Sequence, residues 1–190
     1  VSSALEWAKK YNLKKMVGIT KRNILKKTDG IFWDEIQNCV KELPDMKLEE
    51  IYIDNMAQQL VVNPEQFNNS VILSTNLFMD IISELASGIV GSIGLIYSAN
   101  MGDSYAMFEA AHGSAPSFKG QNKVNPTATI LAGAWMAEYL GEAHIREAIF
   151  SATEHVINGG KTITFDIGGN ASTSQMADAI TILAKEKLRK

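Results

Sequence analysis

Asp80 and Glu84 stand four residues apart in the stretch 76–84, Asn-Leu-Phe-Met-Asp-Ile-Ile-Ser-Glu. A short apolar run, Val71-Ile72-Leu73, precedes them, and from Leu77 onward apolar residues recur at helical spacing. That pattern predicts a buried strand running into a helix. On such a helix both carboxylates project from one face, one turn apart, and like charges at that spacing repel. An isolated D-x-x-x-E is more often a solvated acidic face. Here the flanking residues Ile81, Ile82, Leu85 and Ala86 make a poor setting for one. A hard divalent cation with oxygen ligands is the economical compensation. Three other residues have side chains suited to chemistry. Lys21 lies in the polar cluster Thr20-Lys21-Arg22-Asn23 after a short apolar strand, where α/β proteins place their reactive groups. Asp54 follows an alternating stretch in the same way, and His112 sits in a loop of small residues, Glu109 to Pro116. On residue type alone, Lys21 reads as a surface lysine and His112 as a loop histidine satisfied by backbone.

The elements that must position these residues follow from pattern. Ser3-Ala4-Leu5-Glu6 has capping-box spacing and opens a helix through Tyr11. Strands are expected over 16–19, 48–53, 71–73, 105–108 and 162–165. Helices are expected over 31–43 (stopped by Pro44), 56–62, from 76 onward, over 127–140, over 142–158, and after a second capping box at 172–175. Asn125-Pro126 reads as an N-cap and first-turn pair. Gly88, Gly91 and Gly94 lack the G-x-G-x-x-G spacing of a dinucleotide fingerprint and point to tight backbone packing. Alternation of strands and helices, with no repeat or linker, argues an α/β fold with a parallel or mixed sheet.

Composition narrows the class. A hydrophobic share of 46% and a charged share of 21% suit a soluble globular protein. A net charge of −3 offers no footprint for nucleic acid. The single cysteine, Cys39, excludes an internal disulfide, suits a reducing compartment, and falls at a core position of a helical pattern. The N-terminal residues resemble no signal peptide, and the absence of an initiator Met leaves processing or a fragment open. The uncharged run 85–102 carries serines, Asn100 and four glycines, so it reads as buried loops and strand rather than a membrane span.

Four segments together resemble the β-decarboxylating dehydrogenases, the family of isocitrate, homoisocitrate and isopropylmalate dehydrogenases. They are Thr20-Lys21-Arg22-Asn23 with Thr28-Asp29-Gly30; Asp54 to Leu60; Asn76-Leu77-x-x-Asp80-x-x-x-Glu84; and Ala99 to Asp103 running to His112-Gly113-Ser114-Ala115-Pro116 and Asn125-Pro126-Thr127. The resemblance covers essentially the whole chain, and Phe108-Glu109-Ala110 with Thr28-Asp29-Gly30 looks more like the isocitrate branch. It implies the isopropylmalate/isocitrate dehydrogenase-like α/β fold, a mixed sheet flanked by helices. Residues 1–190 would be the C-terminal portion, about 1–100 belonging to the small, dimer-forming domain and about 101–190 to the returning part of the large domain. The family's substrate-binding serine and arginines and its catalytic tyrosine would lie in a half that precedes these residues.

The resemblance also implies roles. A lysine at the position of Lys21 assists proton transfer, and acidic groups matching Asp54, Asp80 and Glu84 hold Mg²⁺ or Mn²⁺ against a 2-hydroxy acid. His112, Gly113, Ser114, Ala115 and Pro116 form the cofactor loop, Asn125 binds the adenine edge and Asp166 sits near the adenosine ribose. The implied activity is oxidative decarboxylation of isocitrate with NAD, NADP being also admitted. Homoisocitrate or isopropylmalate as substrate, or a regulatory subunit without turnover, are the alternatives. A homodimer with shared active sites is implied, in the cytoplasm or the mitochondrial matrix, with no nucleic-acid or membrane partner. His144 and His155 match no family site. Glu84 departs from the usual aspartate, and Phe78-Met79 from a usual small pair. Ser117 and Phe118 match neither coenzyme pattern, Val124 leans to NADP, and Phe165 with the arginine-free turn 166–169 leans to NAD.

Overall fold

The computed structural model describes residues 1–189, which form two units, Val1–Ala86 and the residues from Ser87 onward. In the first unit the elements run α1 (Ser2–Lys10), β1 (Lys15–Thr20), α2 (Thr28–Val40), β2 (Lys47–Tyr52) and α3 (Ile53–Val62). A 3₁₀ turn (Pro64–Phe67), β3 (Ser70–Leu73) and α4 (Asn76–Val90) follow, α4 crossing the boundary between units. The three strands pair in parallel in the order β2-β1-β3. Central β1 is buried from Met16 to Thr20, as expected of a parallel strand covered on both faces.

Period-two alternation divides its side chains between two cores. Met16 packs with Leu5 of α1 and with Trp33, Ile36 and Val40 of α2. Gly18 shares that side, where a Cβ would lie 2.7 Å from the Trp33 ring. Val17 and Ile19 pack with Ile51, with Met56 and Leu60 of α3, and with Phe67 and Ile82. Each such side chain removed from water contributes about 1.5–3 kcal/mol. Because the strands are parallel, their carboxyl ends share one edge. There β1 runs into Lys21, β2 into Asp54 in the first turn of α3, and β3 into α4.

In the second unit, β4 (Tyr97–Met101) and β5 (Ala106–Ala110) form an antiparallel hairpin, followed by α5 (Thr127–Tyr139), α6 (Ala143–Gly159) and α7 (Thr173–Leu188). Trp135 of α5 meets Tyr97 and Phe108 of the hairpin edge-on, each at 5.8 Å between centroids. The buried layer between α6 and α7 is Ala152, Val156, Met176, Ile180 and Ala184. Three 3₁₀ turns, Ile93–Leu95, Pro116–Phe118 and Phe165–Ile167, connect these elements.

The α/β class is as expected, with parallel strands in one sheet and antiparallel strands in the other. Several finer expectations need correction. Residues 162–165 form no strand. The Thr164 carbonyl accepts from Gly169 N and the Ile163 carbonyl from Ala171 N, so local turns use the groups a ladder would need. The 172–175 capping box is present, but Ser3 caps nothing: α1 starts at Ser2 with Val1 at its N-cap and no side-chain bond. Pro126, not Asn125, is the N-cap of α5, although the Asn125 side chain still accepts from Thr127 N. The second helix begins at Thr28 and ends at Val40, earlier than the 31–43 expected. The run 85–102 begins as helix rather than loop, since α4 continues to Val90, with Ser87 buried and Gly88 to Val90 exposed. Of the three glycines, Gly94 alone is tightly packed. Cys39 is half-buried at the rim of its core.

Candidate functional site

At the carboxyl edge of the parallel sheet, Lys21 Nζ lies 2.7 Å from Asp54 Oδ1, joining the ends of β1 and β2. The lysine's own N–H donates to Oδ2 of buried Asp29 at 2.6 Å, which anchors the backbone where the strand ends. Its ammonium also sits 5.7 Å from the Tyr52 ring centroid. The hydrogen bond from Lys21 holds the Asp54 carboxyl below its ordinary range. Beside this pair, Glu50 accepts from Thr20 Oγ1 at 2.7 Å and from Arg22 Nε and Nη2 at 2.9 and 2.6 Å. Burial alone would raise the Glu50 pKa, but the bonds from Arg22 and Thr20 outweigh it and the carboxyl stays below its ordinary value.

Asp80 and Glu84 are placed on successive turns of α4, while Ile82 on the same helix is in the core. The apolar flank is not simply buried, since Leu77 is 66% and Ile81 50% exposed. Among the described residues no three His, Cys, Asp or Glu side chains gather closely enough to hold a metal ion, so Asp54 is not brought to Asp80 and Glu84 within one chain. In kind the donors fit a hard cation, being carboxylate oxygens on rigid elements. In number they need a further contribution.

The second unit contains an open cleft of about 390 Å³. Of the residues assigned to the cofactor, His112, Gly113, Ser114, Ala115, Asn125 and Asp166 line it, and Pro116 begins the adjoining 3₁₀ turn. Phe118, Val124, Phe165 and Ile93 give the cleft mostly apolar walls. His112 Nδ1 lies 2.9 Å from the Gly113 carbonyl, so this ring nitrogen is satisfied by local backbone. Ala115 adopts φ +42°, a left-handed conformation costly for a residue with a Cβ; among the described residues Asn12, Asn69 and Asn122 are the other non-glycine cases. Asn125 is 6% exposed and bonded at both ends, Nδ2 donating to Asp166 Oδ2 at 3.0 Å and Oδ1 accepting from Thr127 N at 3.0 Å. Burial would raise the Asp166 pKa, but the hydrogen bonds from Ser92 and Asn125 hold it below its usual range. An apolar slot with one oriented carboxamide fits a planar heterocyclic base.

Ser92 and Lys123 at this cleft carried no functional signal in the sequence, and Gly94 only that of tight backbone packing. Ser92 donates to Asp166 Oδ2 at 2.5 Å across 74 residues of sequence. Gly94 is a close-packed neighbour of Asn125. Lys123 Nζ lies 4.6 Å from the Phe165 centroid and 5.9 Å from that of Phe118. Only the glycine spacing gave a local signal, and it did not say which glycine mattered. His144 pairs with Glu142 in solvent and His155 is exposed on α6, both away from the cleft lining.

A family model described as isocitrate/isopropylmalate dehydrogenase matches residues 1–180. An isocitrate/homoisocitrate dehydrogenase of Thermus thermophilus is 43% identical over 84% of this chain and 47% of its own length. A mitochondrial regulatory subunit of an NAD isocitrate dehydrogenase from Dictyostelium discoideum is 39% identical over 98% of this chain and 52% of its own length. The crystal structure of an isocitrate dehydrogenase from Methylococcus capsulatus superposes with a TM-score of 0.92 at 39% identity, covering 97% of this chain and 54% of that one. The chain thus spans about half the length of the curated relatives it matches. On these matches, the chain belongs to the isocitrate/isopropylmalate dehydrogenase family.

Proposed function

We propose that the protein oxidatively decarboxylates isocitrate to 2-oxoglutarate, with Lys21 as proton carrier, Asp54, Asp80 and Glu84 as ligands of Mg²⁺ or Mn²⁺, and the 390 Å³ cleft as the dinucleotide site. The observation that carries this reading is the 2.7 Å Lys21–Asp54 pair at the carboxyl edge of the parallel sheet. The Lys21 nitrogen beside a carboxylate of metal-ligand type is placed to take the hydroxyl proton of a 2-hydroxy acid as the free amine, and to return a proton as the ammonium. When bound, the metal supplies Lewis-acid stabilisation of charge on the C2 oxygen, and the nicotinamide accepts hydride from C2. Lys21 Nζ exchanges the proton of that oxygen. Asp54, ionised through its bond with Lys21, keeps the ammonium directed. Loss of CO₂ then leaves an enolate, which takes up a proton at carbon.

The third carboxylate comes from a second copy in this reading. Asp54 and Lys21 of one protomer meet Asp80 and Glu84 of its partner, and the exposed Leu77, Ile81, Val61 and Val62 of α3 and α4 are covered between them. The test is complementation of Lys21→Met with Asp80→Asn, each inactive alone. Random exchange makes half the dimers hybrids with one intact site of two, so about a quarter of wild-type activity returns. No recovery after verified exchange of protomers would place the site within one chain.

For the coenzyme, Ser117, Phe118 and Gly169 offer no bidentate cation for a 2′-phosphate, which favours NAD. Lys123 at the aromatic wall counts the other way. A kcat/KM favouring NADP tenfold, about 1.4 kcal/mol, would overturn the preference. Likeness to the Dictyostelium protein supports a second reading, a regulatory role. In that case Lys21→Met would leave turnover of the assembled enzyme unchanged. The lone free thiol suits a reducing compartment, cytoplasm or mitochondrial matrix, and no described helix is long and apolar enough to cross a membrane.

A further inference from the structure

Asn125 is the convergent polar group of the cleft, and its orientation is set by its neighbours. A carboxamide has two donor hydrogens on nitrogen and two acceptor positions on oxygen. Here one hydrogen of Nδ2 goes to Asp166 Oδ2 and one acceptor position of Oδ1 takes the Thr127 N–H, leaving one donor and one acceptor unused among the described residues. Rotating the amide by half a turn would set Oδ1 against an ionised carboxylate and Nδ2 against a backbone N–H, a loss at both contacts. Asp166 cannot turn to relieve this, because Ser92 Oγ donates to the same Oδ2 at 2.5 Å and itself accepts from Gly94 N at 3.0 Å. A Cβ on Gly94 would lie 2.8 Å from Asn125 Cβ and 3.2 Å from both Asp166 Oδ2 and Ser92 Oγ, so the group is packed as well as bonded.

We propose that Ser92 and Asp166 are positioning residues that hold the Asn125 carboxamide in a single orientation, making the cleft selective for a 6-aminopurine over a 6-oxopurine. This rests on the reading of the cleft as a nucleotide site. A 6-aminopurine presents a ring-nitrogen acceptor beside an amino donor, the complement of the unused donor and acceptor of the fixed amide. A 6-oxopurine presents a ring N–H beside a carbonyl, so the same pose sets donor against donor and acceptor against acceptor. A freely turning amide would accept either base. Asp166 therefore acts through Asn125 in base selection, a different task from the ribose contact that the resemblance implied.

The probes are ADP and IDP, titrated into the protein by calorimetry, without turnover. Wild type binds ADP more tightly than IDP. Asp166→Asn offers the amide a partner in either orientation, with Thr127 N left as the remaining lock, so the ADP/IDP affinity ratio falls about tenfold. Ser92→Ala retains the Asp166 charge but frees its rotation, and the ratio falls by a smaller factor. It also serves if Asp166→Asn fails to fold. A merely structural loosening would lower both affinities together and leave the ratio unchanged, which would overturn the proposal. Wild type binding the two bases equally would overturn it too while leaving the nucleotide site intact. Failure of wild type to bind either would remove the nucleotide reading and the proposal with it.

Discussion

Gly94→Ala tests the close packing at the cleft most directly. Its Cβ would stand 2.8 Å from Asn125 Cβ, whereas apolar carbons rest at about 3.5–4.0 Å, so roughly an ångström must be found. The neighbours have little room to give: Asn125 is 6% exposed and held at both ends of its amide, while Asp166 and Ser92 are bonded to each other. Overpacking of this kind costs about 1–3 kcal/mol. For a chain of this size that corresponds to a fall in Tm of about 2–4 °C per kcal/mol. The strain falls on the group that orients the base, so ADP affinity should drop at least about tenfold, as expected when a buried polar pairing is displaced. Gly133→Ala is the control. It lies inside α5 with nothing within 4 Å of the added Cβ, and should stabilise by about 0.8–1 kcal/mol without changing ADP binding. Differential scanning calorimetry and ADP titration of both variants decide the matter. Gly94→Ala with wild-type Tm and wild-type ADP affinity would refute the packing argument.

Ala115→Gly should raise stability by about 0.5–1 kcal/mol, because φ +42° strains a residue with a Cβ and not a glycine; a lowered urea midpoint would count against this. The Glu50 carboxyl is held below its ordinary pKa, so its contribution is full above the unfolded-state value and disappears as pH falls through the folded value. Stability should therefore fall on acidification below about pH 4, and Glu50→Gln should flatten that part of the Tm–pH curve. An unchanged slope in Glu50→Gln would show that Arg22 and Thr20 do not hold the ionised form.

Much of this protein was legible without coordinates. The apolar runs at 16–19 and 71–73, the helix carrying Asp80 and Glu84, and the capping box at 172–175 all appear where pattern placed them. Such signals are local: backbone periodicity and capping depend on residues a few positions apart. The ordered motifs that identify the family are likewise a property of the linear chain. Strand formation is less local, since a strand exists only if another edge completes its hydrogen bonds. Residues 162–165 have strand-like composition but find their partners in Gly169 and Ala171. Helix ends shifted because terminal carbonyls and N–H groups take whatever partner tertiary packing provides. What the tertiary structure alone decided is which distant groups meet. Parallel pairing of β1 with β2 brings Lys21 to Asp54, and the turn at 165–167 brings Asp166 to Asn125 and Ser92, 41 and 74 residues away. A hydrogen bond reaches only about 3 Å. Such contacts are therefore set by strand register and by the close approach that Gly94 permits, neither of which is encoded in the spacing of the residues that meet.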